Sequence, residues 1–119
     1  MNTQHPRSQL EPALTNPLRF SLLAALAGVE EMTFAQMRDF LLVSDSTLSK
    51  HASALESHGL VKIKKAFVGK KPQTTLRISP QGLKTWKSHL AALQAIADTA
   101  RPSKDDVDSP DRAAATKTP

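Results

Sequence analysis

Between Ser44 and Ser57 the chain concentrates side chains that form hydrogen bonds: Ser44, Ser46, Thr47, Ser49, Lys50, His51, Ser53 and Ser57. By composition, Ser49-Lys50-His51 holds a nucleophile, a cation and a base. Nucleophilic catalysis needs those groups to converge on one point, whereas neighbours on a helix diverge by about 100°. Their spacing suits a different use. Leu48, Ala52 and Leu55 recur at helical intervals and define one apolar side. Ser46, Ser49, Lys50, Ser53 and Ser57 then fall on the opposite side, with Thr47 on the flank. A face of short hydroxyls lets a backbone approach a grooved surface closely. Hydroxyls meet either base edges or phosphates, and Lys50 reaches either guanine or phosphate. His51 flanks this face, placed either to touch a phosphate or to pack at the helix edge. Ser44 has two uses open, as the helix N-cap and as a phosphate contact at the helix's positive end.

Other chemistries find little material. The chain has no cysteine, which removes thiol catalysis, disulfides and cysteine-based metal sites. Of the histidines His5, His51, His58 and His89, only His51 and His58 share an element, and zinc needs more ligands than two. Gly-rich phosphate loops and paired carboxylates are missing. The expectation is a protein without catalytic residues, metal or cofactor.

A second candidate group is Lys70, Lys71 and Gln73, in the turn Gly69-Lys70-Lys71-Pro72-Gln73. Gly69 permits a turn and Pro72 stiffens it. The flanking segments alternate as strands do: Val61/Ile63 against Lys62/Lys64, and Leu76/Ile78 against Thr75/Arg77. Two strands, Leu60 to Val68 and Thr74 to Ser79, therefore enclose the turn.

The remaining elements position these two groups. Residues 1–9 are polar and expected to be loose, and Leu10 to Leu14 forms a short turn. Asn16-Pro17 starts a first helix with Leu18, Leu22, Ala25 and Leu26 on one face, and Gly28 stops it. A short extended piece near Met32 precedes a second helix capped by Thr33, with Phe34, Met37, Phe40 and Leu41 as its buried stripe. The hydroxyl-rich third helix runs over residues 45–57, closed by Gly59. Ser79-Pro80 starts a last helix, residues 80–97. Residues 98–119 are rich in Pro, Asp, Ser, Ala and Lys, the composition of a disordered tail. The order helix, short strand, helix, helix, strand, strand, helix is mainly α with a small β-hairpin, a winged helix-turn-helix. It fills one domain, residues 10–97, with the wing at residues 68–74.

Charge agrees with that arrangement. The net charge is +5 and the isoelectric point about 9.8. From Ser57 to Ala97 there is no acid, but Lys62, Lys64, Lys65, Lys70, Lys71, Arg77, Lys84 and Lys87 are present. A bland solvated surface mixes the signs; one basic segment points to a polyanion. One Trp, four Phe and no Tyr supply no stacking platform for RNA. No stretch approaches the roughly 20 apolar residues that span a bilayer. Phe20 to Ala27 has the flavour of a secretory leader. It is at the short limit for one, and Glu11-Pro12 stands where a basic region belongs, so a cytoplasmic protein is expected.

Phe34 to Val61, with S-x-x-x-L-S-x-H at Ser44–His51 and Gly59-Leu60-Val61 closing the helix, resembles the core of MarR/ArsR-like winged-helix regulators. Phe67 to Thr75 is similar to the wing of small stand-alone members, and Ser79-Pro80-Gln81-Gly82 to the start of their final helix. Ala52 departs from the pattern, where a larger aliphatic residue is usual. The resemblance covers roughly residues 10–97 and implies binding of double-stranded DNA and transcriptional control.

Leu83, Trp86, Leu90, Leu93 and Ala97 follow 3-4 spacing, the pattern of a packed seam, with Ile96 beside it. Either a second copy covers this seam or the helix folds back on its own domain. A homodimer would present two recognition helices, residues 45–57, to the major groove of a pseudo-palindromic operator, with each wing, residues 68–74, on the backbone or in the minor groove. The leading expectation is a sequence-specific regulator, a repressor that works by occlusion. The other is an adaptor whose basic wing meets an acidic protein.

Overall fold

The computed structural model describes residues 5–99. Two single 3-10 turns, Pro6–Gln9 and Pro12–Leu14, lead into α1 (Pro17–Ala27). Then follow β1 (Met32–Thr33), α2 (Phe34–Leu41), α3 (Asp45–Ser57), β2 (Val61–Val68), β3 (Lys71–Ile78) and α4 (Pro80–Thr99). The strands form an antiparallel sheet in the order β1-β3-β2. The winged helix order read from the sequence is the one observed.

Caps explain where the helices begin. Asn16 accepts the backbone N–H groups of Leu18 and Arg19, and Pro17 occupies the first helical position. Thr33 and Gln36 close a reciprocal capping box at α2. Leu22, Leu23, Leu26, Met37, Leu48, Leu55 and Leu76 are fully buried and fuse α1, α2, α3 and the hairpin base into one core. α1 lies centrally, touching α2, α3, α4 and β3. That is why Leu23, off the predicted apolar face, is buried as well.

The end of α3 and the start of α4 are joined at one point. The Gly59 N–H donates to Glu56 and the Leu60 N–H to Leu55, the paired bonds of a Schellman stop. Buried Ser79 caps α4 by accepting the Gly82 N–H at 2.8 Å, and its hydroxyl donates to the Gly59 carbonyl at 2.7 Å. Gly82 lies so close to Leu60 that a Cβ would collide with the Leu60 carbonyl oxygen.

Several expectations need correction. The hairpin turn is two residues, Gly69-Lys70, and Lys71, Pro72 and Gln73 belong to β3. Only Gly69 has a positive φ there, as a type II′ turn requires, and such a turn matches the strand twist better than a five-residue loop. Pro72 is tolerated because Val68↔Lys71 flanks the turn as a hydrogen-bonded pair. Phe67↔Pro72 is then a non-bonded pair, and Pro72's missing N–H faces the edge that two-residue β1 leaves open. Phe40 is 64% exposed, because it lies roughly 100° from the centre of the Phe34–Met37–Leu41 stripe. The first residues are not all loose: Pro6–Gln9 forms a 3-10 turn that packs on α4. α4 continues through Asp98 to Thr99; positions 100–119, the rest of the expected tail, lie outside the described residues.

That N-terminal contact also reassigns the α4 stripe. Gly82, His89 and Ala92 are its buried residues, one position off the Leu90 series. His89 Nδ1 accepts the Glu11 N–H at 3.0 Å while its ring lies 5.7 Å from Phe20. Burial pushes the His89 pKa down, partly offset by the Glu11 carboxylate. The unfolded chain therefore takes up a proton first, below about pH 6.5, and the native state loses relative stability from there down to the depressed pKa. The thermal midpoint should fall between pH 7 and pH 5. His89→Asn, which keeps an acceptor without titrating, should flatten that fall. Equal slopes in both proteins would show that His89 does not set the acid sensitivity.

Candidate nucleic-acid interface

Ser44 accepts the Thr47 N–H at 3.1 Å and its hydroxyl donates to Thr47 Oγ1, with Ser46 Oγ at 3.3 Å. Of the two uses read for Ser44, the structure displays the cap. Asp45 in the first turn accepts Arg38 Nη1 at 3.0 Å, and Arg38 Nε donates to Asp39. These hydrogen bonds, that to Asp45 first, raise the Arg38 pKa. Arg38 is thus committed to holding the α2–α3 turn. That turn is tight, with Leu42 in the left-handed region at a cost of about 1–2 kcal/mol.

The faces of α3 fall as the spacing predicts. Leu48, Ala52 and Leu55 are buried, while Ser46, Ser49, Lys50, Ser53 and Ser57 are exposed and Thr47 is half-buried on the flank. His51 is half-buried, its Nδ1 3.4 Å from Arg19 Nη1, while Arg19 Nε donates to the Ala13 carbonyl at 2.8 Å. Burial, then Arg19, then Lys50 lower the His51 pKa. The ring ties α3 to α1 and is placed at the helix edge.

The two-residue periodicity sorts the hairpin. One face carries the cross-strand pairs Val61/Ile78, Ile63/Leu76, Lys65/Thr74 and Phe67/Pro72. The other carries Lys62/Arg77, Lys64/Thr75, Ala66/Gln73 and Val68/Lys71. The first face turns toward α3. An open groove of about 530 Å³ runs between them, walled by Ser49, Ser53 and Glu56 on α3 and by Lys65 and Thr74 on the hairpin. Ala52, Ile63 and Leu76 form its floor, so the small residue at position 52 deepens the groove.

The structure therefore brings Ser49 and Ser53 together with Lys65, which the sequence pattern did not single out. Its parity with Val61 and Ile63 was the available signal. Glu56 in the same groove was likewise not foreseen. Lys70 stands at the tip of the turn. Lys71 and Gln73 lie on the other face and line a second groove with Phe34 and Ala35. Among the described residues, no three His, Asp or Glu side chains gather as metal ligands.

Residues 18–97 match a family pattern described as a winged helix DNA-binding domain. The chain belongs to this winged helix family. It is similar to an uncharacterized protein of Methanocaldococcus jannaschii, 29% identical over 73 residues, which are 61% of this chain and 79% of the relative. Its fold is also similar to a transcriptional regulator homologue from Pyrococcus horikoshii OT3. That likeness has a TM-score of 0.72 and 28% identity, and covers 77% of this chain and 91% of the other. MepR of S. aureus, solved as a DNA complex, shares the fold with a TM-score of 0.64 and 15% identity over 82% and 79% of the two chains. The winged helix described here thus has the architecture of MarR-family transcriptional regulators.

Within that architecture, Trp86 packs on the domain side of α4 with its ring 4.9 Å from that of Phe20 and tilted to it, and Leu83 is half-buried near Ile78 and Pro80. Leu90 and Leu93 are 40% and 38% exposed, Ala97 is exposed and Ile96 half-buried. Among the described residues, no helix is long and apolar enough to cross a membrane.

Proposed function

We propose that the protein is a sequence-specific transcriptional repressor that binds double-stranded DNA as a homodimer in the cytoplasm. The observation that carries this reading is the shared groove. The hydroxyl face of α3 and the basic hairpin border one open channel, and no acid occurs from Ser57 to Ala97. In this reading α3 lies in the major groove. Ser46, Thr47, Ser49, Lys50 and Ser53 meet base edges, and Ser44 and His51 hold the helix in place. Lys65, Lys70 and Lys71 meet phosphates, with Gln73 beside them. Repression follows by occupying the operator, without chemistry.

Removing charge and removing base recognition should separate. Lys70→Ala with Lys71→Ala should weaken binding to operator and random duplex alike. The same pair should flatten the salt dependence by about one unit for each phosphate no longer neutralised. Lys50→Ala should instead narrow the gap between operator and random duplex, by about 1–3 kcal/mol. A protein that binds acidic partners and never discriminates among duplexes would be the adaptor instead.

For the dimer, the outer face of α4 leaves Leu90, Leu93 and Ala97 exposed among the described residues. Leu93 also borders an apolar recess of about 330 Å³ walled by Leu10, Leu14 and Phe20, shaped to receive a partner's side chain. Leu90→Asp with Leu93→Asp should sediment as a folded monomer with native helix content, losing operator affinity far more than non-specific affinity. A persistent dimer would place the seam elsewhere; an unfolded protein would assign both leucines to the domain core.

A further inference from the structure

Three of the five aromatic residues, Phe20, Phe34 and Trp86, pack in or against the core. Phe67 does not. It is 72% exposed near the tip of the hairpin, although it shares the sheet face that buries Val61 and Leu76. Its cross-strand partner is Pro72 in a non-hydrogen-bonded pair, the geometry that brings opposed side chains closest. Val68, the next residue, is 61% exposed. Phe67 and Pro72 thus set a rigid ring against a rigid ring, with Lys65 on the same face, Lys70 at the turn, and Lys71 with Val68 on the opposite face. The Phe67–Pro72 pair leaves an apolar surface free at the end of the hairpin.

Charge and reach select an occupant for it. Lys65, Lys70 and Lys71 near this end of the hairpin disfavour a basic protein surface and favour a polyanion. Phe67 stands four residues beyond Ile63, the last core-contacting residue of β2, or about 13 Å along the strand. With α3, about 10 Å wide, seated in a major groove, that reach crosses one phosphate backbone to the neighbouring minor groove. Minor grooves accept apolar side chains between base steps.

We infer that Phe67, backed by Pro72, is an apolar wedge that enters the minor groove beside the α3 site and partly unstacks one base step. This rests on the DNA-binding reading above and deepens it: the wing would discriminate by the deformability of the flanking sequence, favouring flexible pyrimidine–purine steps. Phosphate contact alone would not do so.

The test uses the full chain and a duplex selected by the wild-type protein from a random pool, with 2-aminopurine placed in turn through both flanks. Wild type should raise the fluorescence at one flanking step. Phe67→Ala should abolish that rise and weaken binding by about tenfold, with the salt dependence unchanged, since every lysine that meets a phosphate is kept. Phe67→Leu should keep most of both. An unchanged thermal midpoint would show that the variants fold. If Phe67→Ala binds and unstacks like wild type, the wedge is wrong while DNA binding stands. If Phe67→Ala alters only sedimentation, Phe67 is a protein contact and the wedge is again wrong. If wild type selects no duplex, the DNA-binding reading itself fails.

Discussion

α3, the β2–β3 hairpin and α4 all meet at one buried junction. Ser79 donates to the Gly59 carbonyl, accepts the Gly82 N–H and sits where Gly82 touches the Leu60 backbone. In a few residues it satisfies backbone groups at the end of α3 and at the start of α4. It also fixes the register at which β3 delivers the chain to α4, since the Ser79 N–H donates to Leu60. Any side chain at position 82 would collide with the Leu60 carbonyl and push α4 away from the base of the hairpin.

On the other side of α3, Arg19 performs a parallel task. Its guanidinium spans from the Ala13 carbonyl to the His51 ring, linking the N-terminal turns and α1 to α3. Arg38 does the same at the α2–α3 turn through Asp39 and Asp45. Two arginines are thus engaged inside the domain, and the lysines of the hairpin, none with an acidic partner in its own segment, are left to face outward. This division separates rigidity from attraction: geometry comes from committed cations, long-range attraction from uncommitted ones.

Ala52 and Glu56 show how the same surface is tuned. A small residue at 52 opens the floor between α3 and the sheet, and Glu56 places a negative charge in a groove otherwise bordered by Lys65 and hydroxyls. In the proposed DNA-bound state a carboxylate there would repel phosphate and accept a hydrogen bond from cytosine, favouring selectivity over tight indiscriminate binding.

Much of this was legible in the sequence because it depends on local rules. Asn16-Pro17, Thr33, Ser44 and Ser79-Pro80 announce four helix starts, since capping is satisfied by a side chain a few residues away. The faces of α3 follow from 3.6-residue periodicity, and the hairpin from alternation. What the tertiary structure alone decided involves partners distant in the chain. Lys65 joins Ser49 and Ser53 only because β2 packs beside α3. His89 is buried only because Glu11, 78 residues earlier, folds over α4. Phe40 and Phe67 are exposed although their types suggest burial, because each stands where no element reaches to cover it. Periodicity gives the faces of a single element. Which face meets a neighbour, and which is left to water or to a partner, is set by long-range packing that no local pattern encodes.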